Sequence, residues 1–273
     1  MTEKFDTQAV YLVPILASLM FGLSCAYLLL TQPATIYNVT PFPEDTASGP
    51  FGNAFYFVII IAVGAAVLYL LLKRKNLKLI TILTAVALTT ASLLLSVFYL
   101  SAIFSSIPNS EILVVILSII FTVLFDLAIF RLGNKARNII VICLGGALGV
   151  FFGASIPFLS AVLILCFLAI YDVFAVYYGP VGKIAHAGLD QLKGLSFSFK
   201  DIQMGLGDLV FYSMLSGSML LNFGWVPCLV SLIGILGGSF LTFLMLEKKG
   251  IFPGLPFPIL LGLAGGLLAS LVV

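Results

Sequence analysis

Nine long apolar runs divide the chain, and they constrain its fold more than any other feature. A helix needs about 20 predominantly apolar residues to cross the hydrocarbon core of a bilayer. Runs of about this length cover residues 9–30, 53–72, 77–101, 110–131, 137–154, 157–178, 202–222, 225–246 and 255–273. A chain with 62% hydrophobic and 9% charged residues cannot be a water-soluble domain. The sequence therefore predicts an all-α polytopic membrane protein with nine transmembrane helices.

The positions of lysine and arginine agree with nine spans. All 13 basic residues lie before the first span or in alternate connections, namely Lys4, then Lys73, Arg74, Lys75 and Lys78, then Arg131, Lys135 and Arg137, then Lys183, Lys193 and Lys200, then Lys248 and Lys249. Cytoplasmic loops hold the excess of lysine and arginine. We therefore expect a cytoplasmic N-terminus and a C-terminus outside. This topology also explains the basic residues, so nucleic-acid binding is not expected.

We expect a single membrane-embedded domain over residues 1–273. Helices 1–6, about 9–178, would form an N-terminal part, and helices 7–9, about 202–273, a C-terminal part, joined by the polar loop 179–201. Three spans carry glycines at small-xxx-small spacing, namely Gly145, Gly149 and Gly153, Gly234 and Gly238, and Gly262 and Gly266. This spacing lets membrane helices approach closely. We interpret these as packing glycines.

Two carboxylates, Asp172 and Asp208, lie inside the sixth and seventh runs. The free energy of inserting an ionisable side chain at that depth in a membrane is unfavourable by at least about 2.5 to 3.5 kcal/mol. Each aspartate is therefore a candidate functional residue. Asp172 lies seven residues before Gly179, where the sixth helix should end, and Asp208 lies seven residues after Asp201, where the seventh should begin. The helical rise then predicts that both lie roughly 10 Å below the cytoplasmic boundary.

Two neighbouring carboxylates cannot both ionise easily, so they share a proton and titrate as a pair. An aspartic protease works in this state. The ionised carboxyl takes a proton from water as the water attacks a peptide carbonyl, and the protonated carboxyl donates to the carbonyl oxygen. Gly205 and Gly207, just before Asp208, permit close backbone approach and local opening of the helix.

Three segments together resemble the presenilin and signal peptide peptidase family of intramembrane aspartyl proteases. The first is AIYDVFAV at 169–176, followed by Gly179-Pro180, and the second is GLGDLVFYS at 205–213. The third is Pro253-Gly254-Leu255-Pro256 at the start of the ninth span, where the family carries Pro-Ala-Leu. Glycine in place of that alanine adds backbone freedom.

The resemblance implies a nine-helix fold and an intramembrane aspartic endopeptidase that cleaves transmembrane proteins or peptides, with Asp172 and Asp208 as the catalytic pair. Substrate-binding or supporting roles fall to Tyr171, Gly205, Leu206, Gly207, Pro253, Gly254, Leu255 and Pro256. The inferred orientation matches presenilin, whereas signal peptide peptidases are inverted in the membrane. Because the loop 179–201 is short, self-cleavage is not expected as an activation step.

The compact chain favours a stand-alone enzyme that needs no accessory subunits. We expect it to work in the lipid bilayer of a prokaryotic plasma membrane, as an archaeal homologue of this family. Assembly into a homo-oligomer is an alternative to a monomer. No cofactor or metal is expected, because the four cysteines are isolated and His186 has no second ligand nearby in the sequence.

One alternative from another class is a cation or proton-coupled transporter or channel, in which the paired aspartates would relay ions. It explains the aspartates but not the other motifs, and the sequence shows no internal repeat of the kind that many transporters carry. Prepilin peptidases also use Gly-x-Gly-Asp, but they are expected to lack the Pro-Gly-Leu-Pro element.

Several nearby residues have plainer interpretations. Asp126 lies five residues before Arg131, which favours an interfacial acid over a catalytic one. Tyr171 could donate a hydrogen bond at the site or simply pack by its ring. Phe211 and Tyr212 are interpreted as ordinary aromatics of helix packing.

Overall fold

The structure contains nine α-helices and one β-hairpin among the residues it describes. It is a computed structural model, and it describes residues 7–32, 36–46, 48–179, 194–200 and 202–272. The helices are α1 (Val13–Thr31), α2 (Gly49–Lys73), α3 (Leu77–Ile103), α4 (Glu111–Phe130), α5 (Asn134–Ser155), α6 (Phe158–Tyr177), α7 (Leu206–Phe223), α8 (Trp225–Lys249) and α9 (Pro256–Ser270). A short 3-10 helix, Ala9–Leu12, precedes α1. The helical fold class is confirmed.

Seven of these helices, α1 to α6 and α8, are long and apolar enough to cross a membrane. The chain is therefore an integral membrane protein. α7 is not among the seven, and α9 is a shorter apolar helix of 15 residues. Several predicted helix ends move by a few residues, so that basic residues such as Lys73 and Lys249 lie in the last helical turn rather than in a connection.

The predicted start of the seventh helix at residue 202 is wrong, because residues 202–205 form a strand. β1 (Ser196–Phe199) and β2 (Ile202–Gly205) pair antiparallel, with Phe199 opposite Ile202 and Ser196 opposite Gly205. The backbone N–H of Leu206 then donates to the carbonyl of Leu195, 2.7 Å away. The chain therefore passes directly from a strand into α7.

Burial explains why this segment is a hairpin. Phe197 on β1 and Ile202 and Met204 on β2 are buried, whereas Gln203 between the last two is exposed. This alternation has the two-residue period of a strand, which presents successive side chains to opposite faces. The side-chain amide of Asn138 on α5 also donates to the carbonyl of Ser198 at 2.6 Å, which ties the hairpin to the helices.

α7 lies at the centre of the fold and packs against α1, α5, α6, α8 and α9. Its closest neighbour, α5, approaches through glycine. A Cβ atom at Gly149 would overlap the carbonyl oxygen of Val210, and one at Gly153 would lie 2.7 Å from the carbonyl oxygen of Met214. These glycines therefore bring two backbones into contact, as the small-xxx-small spacing predicts.

α8 and α9 form a second close pair. A Cβ atom at Gly234 would lie 2.9 Å from the Cα of Gly262, and one at Gly238 would lie 2.5 Å from the backbone of Pro258. This contact lies near the N-terminal end of α9. It fixes that end of the helix, and the segment that precedes it, against α8.

Gly238→Ala is expected to destabilise the fold, because the added methyl group meets rigid backbone of α9 and not a movable side chain. Overpacking of this kind costs about 1 to 3 kcal/mol. The measurement is the thermal unfolding midpoint of the purified protein in detergent. Gly237→Ala is the matched control, since a Cβ atom at the preceding residue has nothing within 4 Å. Equal midpoints for the two variants would contradict this account of the α8–α9 contact.

Candidate active site

Asp172 lies near the end of α6, five residues before the last helical residue, Tyr177. The helical rise places it about 8 Å from that end. The helix stops just before Gly179, as the sequence predicts. The side chain of Asp172 is half-buried and faces a cavity between the helices.

Asp208 is the third residue of α7 and lies in its first turn. The prediction that it lies seven residues inside a helix is wrong, because the hairpin takes the place of the first expected turn. A carboxylate in the first turn lies near the positive end of the helix dipole, which favours negative charge. The hairpin therefore determines which part of α7 carries the acid.

Both carboxylates line one cavity of about 1020 Å³. Its walls come from α1, α6, β2, α7, α8 and the connection from Gly250 to Gly254. Apart from the two aspartates, Lys249 is the charged residue that lines it among the described residues. The sequence motifs, which are far apart along the chain, thus meet around a single space.

The connection before α9 contacts both carboxylates. The backbone N–H of Leu255 donates to Oδ2 of Asp172 at 2.9 Å. A Cβ atom at Gly254 would lie 3.0 Å from Oδ1 of Asp208, so this glycine sits directly against the second carboxylate. Two successive residues of one segment therefore link the two acids, and a third motif residue, Pro253, is buried beside them.

Tyr212 is a site residue that sequence reasoning missed. Its side chain is buried, with 1% of its surface exposed, and its hydroxyl donates to the carbonyl of Gly254 at 2.8 Å. It also lines the cavity. A signal was present in the sequence, because Tyr212 follows Asp208 by four residues and so lies on the same face of the helix.

Gly205 and Gly207 are not packing glycines. A Cβ atom at Gly205 would meet nothing closer than 3.9 Å, and one at Gly207 nothing closer than 3.8 Å. Both line the cavity. Their lack of a side chain leaves space beside Asp208. The glycines of α5 differ, because their lack of a side chain lets α5 pack directly against the backbone of α7.

The remaining predicted residues lie at different distances from the cavity. Leu206 is buried and lines a second, apolar cavity of about 440 Å³, which Gly207 also borders. Pro256 is the first residue of α9 and half-buried. Tyr171 is half-buried but is not among the described residues that line the site cavity.

Asp126 lies on α4 and accepts a hydrogen bond of 2.7 Å from the hydroxyl of Thr89 on α3. It is not a wall of the site cavity. His186 lies outside the described residues. Within the described part of the chain, the structure groups no three His, Cys, Asp or Glu side chains in a way that could hold a metal ion.

Two solved structures share this fold. Both are described as structures of a presenilin family intramembrane aspartate protease, one in the C222 and one in the P2 space group. The first matches with a TM-score of 0.68 and 18% identity over 96% of this chain and 97% of that chain. The second matches with a TM-score of 0.66 and 19% identity over 96% of each chain. The likeness therefore includes the C-terminal helices.

A family model described as "Signal-peptide peptidase, presenilin aspartyl protease" matches residues 17–188. This range is more than half of the chain and includes Asp172, whereas Asp208 lies beyond it. A comparison with curated proteins finds no match. On the family match, the chain belongs to the signal-peptide peptidase and presenilin family of aspartyl proteases.

Proposed function

We propose that Asp172 and Asp208 are the catalytic pair of an intramembrane aspartic endopeptidase, and that this chain hydrolyses peptide bonds within transmembrane segments of other proteins. One observation supports this assignment above others. Both carboxylates line the same cavity, and Asp208 lies against Gly254 while Asp172 accepts a hydrogen bond from the next residue, Leu255.

In this mechanism the two carboxyl groups hold one proton between them. The ionised carboxylate accepts a proton from a water molecule while the oxygen of that water attacks the peptide carbonyl carbon. The protonated group donates its proton to the carbonyl oxygen, and the tetrahedral diol then collapses as the amide nitrogen is protonated and leaves. No bond forms between enzyme and substrate, so no separate nucleophile is needed.

A transmembrane helix has to unwind locally before its peptide bond can reach the pair. β2 lines the cavity and is an edge strand of a two-stranded sheet in the described residues. An edge strand can pair with an extended peptide. Gly205 and Gly207 leave room for that peptide, and the segment Pro253–Pro256 would support it from the other side.

The cavity, both acids and the segment before α9 all come from one chain, which supports activity without accessory subunits in a single membrane-embedded domain. Family membership and fold argue against the transporter alternative. The short connections suit a prokaryotic plasma membrane, and the distribution of lysine and arginine supports a cytoplasmic N-terminus and a C-terminus outside.

Asp172→Ala and Asp208→Ala are each expected to abolish cleavage of a single-span reporter peptide by the purified protein in detergent, because each removes one half of the proton-sharing pair. Cleavage is measured by mass spectrometry of the products. Asp126→Asn is the matched control, since it alters a half-buried acid of another helix pair and should retain activity.

If both alanine variants cleave at the wild-type rate, the catalytic assignment is wrong. If the wild type does not cleave but carries cations or protons across liposome membranes, and the Asp172 and Asp208 variants do not, the transporter alternative is correct.

Gly254→Ala is expected to lower kcat while the fold is kept. The new methyl group would lie 3.0 to 3.1 Å from the carboxyl atoms of Asp208, which must then move by a few tenths of an ångström. Since a misplacement of 1 Å can cost about 100-fold in rate, a loss of roughly tenfold is expected. Gly237→Ala serves as the control, and full activity of Gly254→Ala would show that Asp208 tolerates this displacement.

Orientation is tested with Lys75→Cys and Ser48→Cys in intact cells and a membrane-impermeant maleimide. Ser48→Cys should react from outside, whereas Lys75→Cys should react only after the membrane is opened, because the two residues flank opposite ends of α2. The wild type gives the background from the four native cysteines. Reaction of Lys75→Cys in intact cells would overturn the topology.

A further inference from the structure

We propose that Tyr212 is a positioning residue for the two carboxylates. Its hydroxyl holds the carbonyl of Gly254 against α7 and thereby maintains the hydrogen bond from the N–H of Leu255 to Asp172. This inference rests on the proposed function of Asp172 and Asp208, and it assigns a role to a residue that would not touch the reacting atoms.

A continuous chain of contacts joins α7 to α6. Tyr212 follows Asp208 by one helical turn, so the two side chains lie on the same face of α7. The hydroxyl of Tyr212 donates to the carbonyl of Gly254 at 2.8 Å. The next N–H along the chain, that of Leu255, donates to Oδ2 of Asp172 at 2.9 Å. The helix that carries one acid is thus connected to the other acid by two hydrogen bonds and one residue step.

Apart from the backbone N–H groups of Gly254 and Leu255 that bond Asp172, the segment that Tyr212 holds has few other anchors. It connects the end of α8 at Lys249 to the start of α9 at Pro256 and forms neither helix nor strand. Gly254 has no side chain that could anchor it, and Pro253 has no backbone N–H to donate. The rings of Phe252 and Phe257 stack on each other, with their centroids 5.4 Å apart. These two residues flank Gly254, and their stacking does not involve its carbonyl.

Burial alone does not explain this choice of partner. A tyrosine hydroxyl inside a membrane protein needs an acceptor, and any carbonyl would serve. Tyr99 on α3 shows the alternative, because its hydroxyl donates to the carbonyl of Ala147 on α5 at 2.7 Å and neither residue lines the site cavity. Tyr212 instead uses the carbonyl directly before the N–H that binds Asp172.

The consequence is control over the separation of the two acids. Catalytic groups have to stay within about 0.5 Å of their working geometry. Gly254 lies against Asp208, and Leu255 binds Asp172, so a shift of this dipeptide changes the surroundings of both carboxylates at once. Without the Tyr212 hydroxyl the carbonyl of Gly254 would lose its donor, and the segment would be free to move away from α7.

The test compares Tyr212→Phe with Tyr99→Phe. Each variant keeps the ring and removes one hydroxyl that donates to a backbone carbonyl, so the two are matched in their cost to stability. For Tyr212→Phe we expect kcat for the reporter peptide to fall about 10- to 100-fold. KM should rise by less than kcat falls, because the ring of Tyr212 is kept and only the segment Pro253–Pro256 shifts against the substrate. Tyr99→Phe should retain kcat.

Hydrogen exchange followed by mass spectrometry provides a readout that does not depend on activity. In a peptide covering residues 250–256, Pro253 and Pro256 carry no N–H, so Gly254 and Leu255 contribute a large share of the signal. Exchange in this peptide should be faster in Tyr212→Phe than in wild type, and unchanged in Tyr99→Phe.

The inference is overturned if Tyr212→Phe keeps both wild-type kcat and wild-type exchange, or if the two variants lose kcat equally. If the wild type cleaves no reporter at all, the proposed function fails. In that case, exchange still decides the positioning role, because faster exchange only in Tyr212→Phe supports the link from Tyr212 to Leu255 and unchanged exchange refutes it.

Discussion

The fold has to keep two carboxylates usable among helices that are otherwise apolar. A charged group in a bilayer is costly, and backbone polar groups there must find partners within the protein. Helix ends and irregular segments supply such partners, because their N–H groups are not used within a helix. Asp208 lies at a helix start, and Asp172 accepts an N–H from the segment before α9. Both acids thus lie beside backbone segments whose N–H groups are not used within a helix.

Close packing through glycine makes this arrangement rigid. α5 contacts α7 at Gly149 and Gly153 with no side chain between the backbones, and α8 contacts α9 in the same way at Gly238. Dispersion contacts at such short separation are strong in sum, and in a bilayer they take the place of the hydrophobic effect between helices. The glycines near Asp208 act in the opposite sense, since Gly205 and Gly207 leave space open. One residue type thus builds both the rigid frame and the free volume of the site.

Much of this fold could be predicted from the sequence, because apolar runs and glycine spacing are local patterns with a direct physical cause. The acids and the Pro253–Pro256 segment were predicted from motifs, and the two acids and Gly254 of that segment line one cavity. The hairpin was missed because its strands have four residues each, and Ile202 to Gly205 continue the apolar run of α7. The alternation Ser196-Phe197-Ser198-Phe199 was the available signal. The position of Tyr212 one turn after Asp208 was the available signal, but it does not show that the hydroxyl bonds Gly254, a residue 42 positions away.

The hairpin also explains how one membrane protein can combine helices with extended chain. Because β2 leads straight into α7, Asp208 lies within four residues of a strand and not deep inside a helix. A substrate in extended form needs strand hydrogen bonds in place of those that its helix loses on unwinding, since unpaired backbone groups are costly away from water. A strand edge beside the acids could return those bonds at the place where the peptide bond is cut. The strand Ile202–Gly205, which replaces the first expected turn of the helix, therefore serves the same reaction as Asp208.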